Sequence, residues 1–319
     1  MLAFGTGMLP MHSVRRGRSP ATDRSALPLV NLSIELGFTH IDTSEMYPGF
    51  DDLRRVLRPH RHKLFVTSKV DPTLAAAATT CKADGAGCRS AMLAAANATR
   101  RRLGMQPDLL LLHRPPNRQA GGRTLGGAAQ CVRLRESWRG LESAHRRGLA
   151  KAIGLSNVCG AMLRCLANTA KVPPAVLQYM HHVGMGADRL GYRAFGQRTW
   201  GSQYMAYSVL GGAEQQFDSI MHAVASVALA HGKQAAGVAM SWVAQQQMPM
   251  VLITARAAHM RQNLRVYDAD PPWGRLSVRE MDALSAVRDP TSRPSYWGDC
   301  DDAPPEASKT VVTARRLPH

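Results

Sequence analysis

The chain contains no run of about 20 uncharged apolar residues, the length a membrane-crossing helix needs. Its opening, MLAFGTGMLP, is too short for a secretory signal and lacks the small-residue cleavage pattern. These absences predict a protein of the cytoplasm, with no membrane partner. There is no C-x-x-C pair either: six cysteines (81, 88, 131, 159, 165, 300) are scattered over 319 residues. That scatter predicts free thiols in a reducing compartment and no metal held by cysteine. Lysine is scarce, seven of 40 basic residues, against 23 acidic residues and a net charge of +17. So large a charge raises the question of nucleic acid, yet no basic tail, zinc-finger spacing or aromatic RNA-binding signature goes with it. No nucleic-acid partner is expected, and a phosphate-bearing small ligand accounts for positive potential equally well. Gly5-Thr6-Gly7 is followed by no third glycine, so the fingerprint of an open dinucleotide-binding sheet is missing. No internal repeat and no low-complexity block interrupts the chain.

What is present is order. With 45% apolar residues the chain can build a full core, and eight short runs rich in branched and aromatic residues recur along it: 2–6, 38–43, 64–70, 108–113, 152–157, 176–180, 203–209 and 250–254. Helical periodicity fills the gaps, at 25–36, 51–57, 89–103, 132–145, 160–169, more weakly at 190–198, then 217–244 with a break at His231-Gly232, and 257–266. Strand followed by helix, eight times over, predicts an α/β fold of the (β/α)8 TIM-barrel type, one domain over 1–319. Residues 71–87 and 117–127 are expected to run as loops over one mouth of the barrel. Beyond residue 268 prolines break up the chain, leaving one helix at 277–287, an irregular segment expected near the active-site mouth, and a loose tail of about fifteen residues.

In such a barrel the reactive groups sit where strands end. The second run ends at Asp42, with Tyr47 five residues on; the third carries Lys69; the fourth ends at His113; the fifth ends at Ser156-Asn157. A lysine inside an apolar strand is costly unless a carboxylate faces it, and Asp42 on the adjacent strand is the partner expected. Each residue alone has an ordinary structural explanation, a buried ion pair, a surface tyrosine, a core histidine. Four of the needed types at one barrel mouth make chemistry the better reading.

These residues carry a resemblance. GFTHIDTSEMY, LFVTSKV, DLLLLHRPP and GLAKAIGLSNV, followed by VLQYMHH, MAYSVLGG and ITARAAHMRQNL, stand in the order of the corresponding segments of the aldo-keto reductases, and the similarity runs from about residue 2 to 284. The resemblance implies NADPH-dependent reduction of an aldehyde or ketone, with NADH as the alternative cofactor and the small carbonyl compound as the only partner of a monomer. It assigns Tyr47 as proton donor, Lys69 as the charge that eases proton loss, Asp42 as the anchor of Lys69 and His113 as the group orienting the carbonyl. Ser156, Asn157 and Gln178 match residues that hold the nicotinamide carboxamide, Tyr207 the ring stacked on the nicotinamide, and Ser208 and Leu210 contacts to the pyrophosphate. Thr254 and Asn263 match groups near the adenosine end. Ile253 and His259 depart from the lysine and arginine of the strongest 2′-phosphate binders, and Arg256 and Arg261 are the expected substitutes. The family's N-terminal hairpin is expected to be reduced or absent. Arg114 stands where tryptophan is common, either as a substrate-carboxylate ligand or as an arginine turned to solvent. Trp273, Tyr296 and Trp297 are candidates to cover the pocket, and Trp242 is expected in the core. Two other functions stay open: a nicotinamide-binding regulatory subunit of the same fold, and a metal-dependent barrel hydrolase built on His40, Asp42, Lys69, His113 and His181, although no metal is expected.

Overall fold

A computed structural model describes residues 1–7, 26–116, 127–188, 190–211 and 214–289. Eight parallel strands close into a barrel: β1 (Leu2–Gly5), β2 (His40–Asp42), β3 (Phe65–Val70), β4 (Leu109–Leu112), β5 (Ala152–Ser156), β6 (Val176–Met180), β7 (Gln203–Tyr207) and β8 (Met250–Leu252), with β1 pairing both β2 and β8. This is the (β/α)8 TIM barrel expected, with every strand inside one of the eight apolar runs. The helices over its outside are α1 (Ala26–Glu35), α2 (Leu53–Leu57), α3 (Ala75–Thr80), α4 (Cys88–Leu103), α5 (Gly127–Arg146), α6 (Gly160–Ala167), α7 (Tyr192–Trp200), α8 (Glu214–Ala230), α9 (Ala235–Gln245), α10 (Ala257–Leu264) and α11 (Val278–Ala286).

Strand alternation sorts the side chains into two layers. Phe4, Ile41, Val66, Leu110, Leu112, Ile153, Leu155, Leu177 and Tyr179 pack outward against the helices in one large cluster. Ala3, Met205 and Val251 form a small separate cluster with Val176 and Tyr207. Gln178 on β6 reaches across to Asp42 on β2, Nε2 to Oδ2 at 2.9 Å, so this second layer is the barrel interior. Polar groups therefore occupy the upper interior, where the period-two pattern of β2, β3, β5 and β6 places Asp42, Lys69, Ser156 and Gln178. Gly154 on β5 is required by close approach: a Cβ there would sit 2.5 Å from the Val176 carbonyl oxygen.

At the opposite end Asp108 ties three elements together. Its carboxylate accepts from Arg61 Nη2 and Lys151 Nζ, both at 2.8 Å, and from the Val66 amide at 2.8 Å. Burial opposes its ionisation, but these donors outweigh burial and hold its pKa below the ordinary 3.8. A depressed folded-state pKa means the contribution is complete above the unfolded value and is lost as pH falls through the folded one. Asp108→Asn is expected to lower stability at pH 7 by about 1.5–3 kcal/mol. In urea melts the gap from the unsubstituted protein should shrink as pH drops below 3.8; a gap constant from pH 7 to pH 2 would contradict the assignment.

Several expectations need correction. The segment 71–87 is not all loop, since α3 lies within it; its Ala-Ala-Ala-Ala-Thr-Thr sequence has the propensity to form a turn of helix. The cysteines are not free: Cys81 pairs with Cys88 and Cys131 with Cys165, Cys159 is also disulfide-bonded, and no free cysteine is found among the described residues. The first pair forms because the chain doubles back, Lys82 N–H bonding the Ala86 carbonyl; the second joins α5 to its neighbour α6. The thiol argument for a reducing compartment therefore falls. Among the described residues no helix is long and apolar enough to cross a membrane. Trp242 is fully buried, as expected. Trp273 is also buried, packed against Gly237 of α9, where any side chain would collide with its indole. Residues 117–126, Tyr296, Trp297 and the final fifteen residues lie outside the described part.

Candidate active site

Asp42 closes β2, and the chain then turns sharply to bring Tyr47 back over the barrel mouth. The Tyr47 amide bonds the Ser44 carbonyl at 2.9 Å, Gly49 adopts φ 76°, and buried Phe50 anchors the far side of the loop. Lys69, two residues above the Thr67 that pairs with Asp42, is 2% exposed. Its ammonium donates to Asp42 Oδ1 and, at 3.1 Å, to the Thr43 carbonyl. Burial works against its charge, but Asp42 and Tyr47 outweigh burial and keep its pKa above the ordinary value. The same ammonium lies 5.1 Å from the Tyr47 ring centre.

His113 continues β4, its amide bonding the Val70 carbonyl at 2.9 Å. Its Nε2 is 3.3 Å from the Tyr47 hydroxyl and its Nδ1 is 3.0 Å from Ser44 Oγ. Burial, then the positive charges of Lys69 and Arg114, push its pKa well below 6.5, so the ring is neutral. Asp42, Tyr47, Lys69 and His113 thus come together as one hydrogen-bonded and electrostatic unit. Sequence reasoning missed two members. Ser44 carries no periodic signal, and Gly7 lies against the tyrosine ring, where a Cβ would meet Cζ at 2.9 Å.

Beside this unit, Ser156 and Gln178 are register partners at the ends of β5 and β6. Asn157 is engaged at both ends of its amide: Nδ2 donates to the His113 carbonyl (2.8 Å) and to Ser156 Oγ (3.0 Å), and Oδ1 accepts from the Tyr207 hydroxyl (2.6 Å). Asn157 and Ser208, each just past a strand end, hold φ of 60° and 50°, in the left-handed region that non-glycine residues seldom adopt. Such backbone costs energy and is concentrated at binding sites. Leu210 is half-buried beyond Ser208. Across the mouth, Thr254 Oγ1 accepts from the Arg256 amide at 3.2 Å just before α10. Arg256, His259 and Arg261 are exposed, and Asn263 is buried in the last turn. Arg114 is not turned to solvent: it is half-buried and bonded to the fully buried Asp71, with a second contact to Met46 Sδ. The hydrolase alternative finds no ligand set, because His40 is bonded to Thr67 lower in the barrel, His181 stacks on Trp242, and among the described residues no three His, Cys, Asp or Glu side chains group to hold a metal.

The fold and site together define a barrel oxidoreductase. The model of the Aldo/keto reductase family matches residues 1–285, and the chain belongs to that family. Curated relatives include the NADPH-dependent codeinone reductase 1-2 of Papaver somniferum, 28% identical over 91% of this chain and 87% of that protein. Deoxymugineic acid synthase 1 of Zea mays is 31% identical over 80% of each chain. Among solved structures, a Bombyx mori aldo-keto reductase in complex with NADP superposes with a TM-score of 0.71 at 20% identity, over 95% of this chain and 94% of that one.

Proposed function

We propose that the protein reduces an aldehyde or ketone to the alcohol with NADPH. The observation that carries this is the convergence on the Tyr47 hydroxyl of a buried ammonium, Lys69, and a neutral imidazole, His113. The cofactor fits the residues present. A primary carboxamide needs one donor and one acceptor: the Ser156 hydroxyl donates to no acceptor among the described residues, and Gln178, its Nε2 turned to Asp42, presents its oxygen. Ser156 and Gln178 hold that carboxamide, Asn157 braces them, and the Tyr207 ring covers one face. Ser208 and Leu210 meet the pyrophosphate, while Thr254, Arg256, His259 and Asn263 surround the adenosine end, with the α10 N-terminus and the arginines favouring a phosphate. NADPH is the cofactor of the codeinone reductase relative.

When bound, the nicotinamide supplies the hydride that reduces the carbonyl carbon. The residues act on the oxygen. Its developing negative charge takes the Tyr47 proton, and Lys69, held charged by Asp42, stabilises the phenolate left behind. His113 donates a hydrogen bond at the same place, which a neutral imidazole does without adding a second buried cation. Because His113 is neutral well below pH 6.5, kcat/KM should show no imidazole limb between pH 6 and 8. A break near pH 6.5 that disappears in His113→Gln would contradict this.

The reading is tested by titrating the protein with NADPH and NADH through tryptophan fluorescence, then adding a panel of aldehydes and following loss of the reduced cofactor. Tight NADPH binding with turnover is expected. Equal affinities would remove the NADPH preference, and binding without turnover on any carbonyl would move the assignment to a regulatory subunit.

A further inference from the structure

A neutral imidazole carries one proton on two nitrogens, and the partner of one nitrogen decides which holds it. His113 Nδ1 faces Ser44 Oγ at 3.0 Å, and Nε2 faces the Tyr47 hydroxyl at 3.3 Å. Ser44 is buried, and its oxygen already accepts the Met46 amide at 3.3 Å. Its hydroxyl proton then has one acceptor among the described residues, His113 Nδ1. A buried hydroxyl donor left without an acceptor is costly, so the bond runs from Ser44 O–H to Nδ1. Nδ1 therefore carries no proton, and the ring proton sits on Nε2, directed at the tyrosine oxygen and the barrel mouth.

We propose that Ser44 is a positioning residue that fixes His113 as the Nε2–H tautomer. The consequence reaches Tyr47. With Nε2–H as donor, the tyrosine oxygen accepts from the histidine, and the phenolic proton stays directed away from His113, toward an incoming carbonyl oxygen. The opposite tautomer would draw that proton into a bond with Nε2 and offer the carbonyl one donor fewer. The tautomer itself stands on hydrogen-bond geometry alone; its effect on rate rests on the reductase reading.

The test is 15N NMR of histidine-labelled protein, with His113→Gln used to assign the His113 ring signals. The expected wild-type spectrum has a protonated Nε2 and a bare Nδ1. Ser44→Ala should shift the ring toward a mixture of tautomers and lower kcat/KM about tenfold, the worth of one hydrogen bond, with NADPH affinity unchanged. Ser44→Thr, which keeps the hydroxyl, should restore both readouts, which separates the tautomer effect from a packing defect. A protonated Nδ1 in the wild type would overturn the proposal, as would a Ser44→Ala variant retaining both the tautomer and the rate. If the wild type turned over no carbonyl, the reductase reading would fall, and the ring spectra of wild type and Ser44→Ala would still decide the role of Ser44.

Discussion

Tyr47→Phe is expected to cut turnover by about a hundred- to ten-thousand-fold, the usual worth of a positioned acid, and to leave NADPH affinity unchanged. The substitution removes one oxygen. The ring still lies against Gly7, and Lys69 keeps Asp42 and the Thr43 carbonyl as partners, so the barrel and its cofactor groups should be undisturbed. The lost interaction belongs to the transition state, so kcat and kcat/KM should fall together. Melting temperature, fluorescence titration and steady-state kinetics on one preparation check this. A variant keeping most of its rate would show that the proton comes from another group.

Lys69→Met should cost both activity and stability. It strips the ammonium from beside the Tyr47 hydroxyl, which lowers kcat by about a hundred- to a thousand-fold if the charge acts on the developing phenolate as an oxyanion donor does. It also leaves the Asp42 carboxylate, 3% exposed, with Gln178 as its one remaining side-chain donor among the described residues. Breaking one side of a buried pair costs about 3–5 kcal/mol, because an uncompensated charge stays behind. Asp42→Asn combined with Lys69→Met removes that charge and should recover much of the stability without recovering rate. Recovery of rate in the double variant would mean that Lys69 acts only as structural filling.

Much of the barrel was legible because its physics is local. Apolar runs of five to seven residues separated by amphipathic helices leave little choice but a closed parallel barrel, and the break at His231-Gly232 appears as two helices, α8 and α9, with Gly232 at φ 58°. Asp42, Lys69, Tyr47 and His113 were legible because each is a polar group at or near the end of an apolar run. Ser277 was legible as a helix start, and it forms a capping box with Glu280. What escaped depends on distant parts of the chain meeting. Nothing in the spacing of Cys131 and Cys165 announces that α5 and α6 lie side by side. The pairing of Arg114 with Asp71 joins residues 43 positions apart, and a solvent-facing arginine does not describe it. Ser44 differs from any loop serine only through its distance to His113, and Gly7 reads as a failed fingerprint until the tyrosine ring is seen against it.

The central claim, that this chain moves a hydride from NADPH to a carbonyl carbon beneath the Tyr47 hydroxyl, is tested most directly by isotope transfer. The protein would be given NADPH deuterated at nicotinamide carbon 4, on one face or the other, with an aldehyde from the panel, and the alcohol product analysed by mass spectrometry. The account predicts deuterium on the alcohol carbon from one of the two labelled cofactors only, because Tyr207 covers the opposite face, and far less product in Tyr47→Phe. Label from both faces would contradict the assigned nicotinamide site, and NADPH binding with no label in any product would contradict the reductase assignment itself.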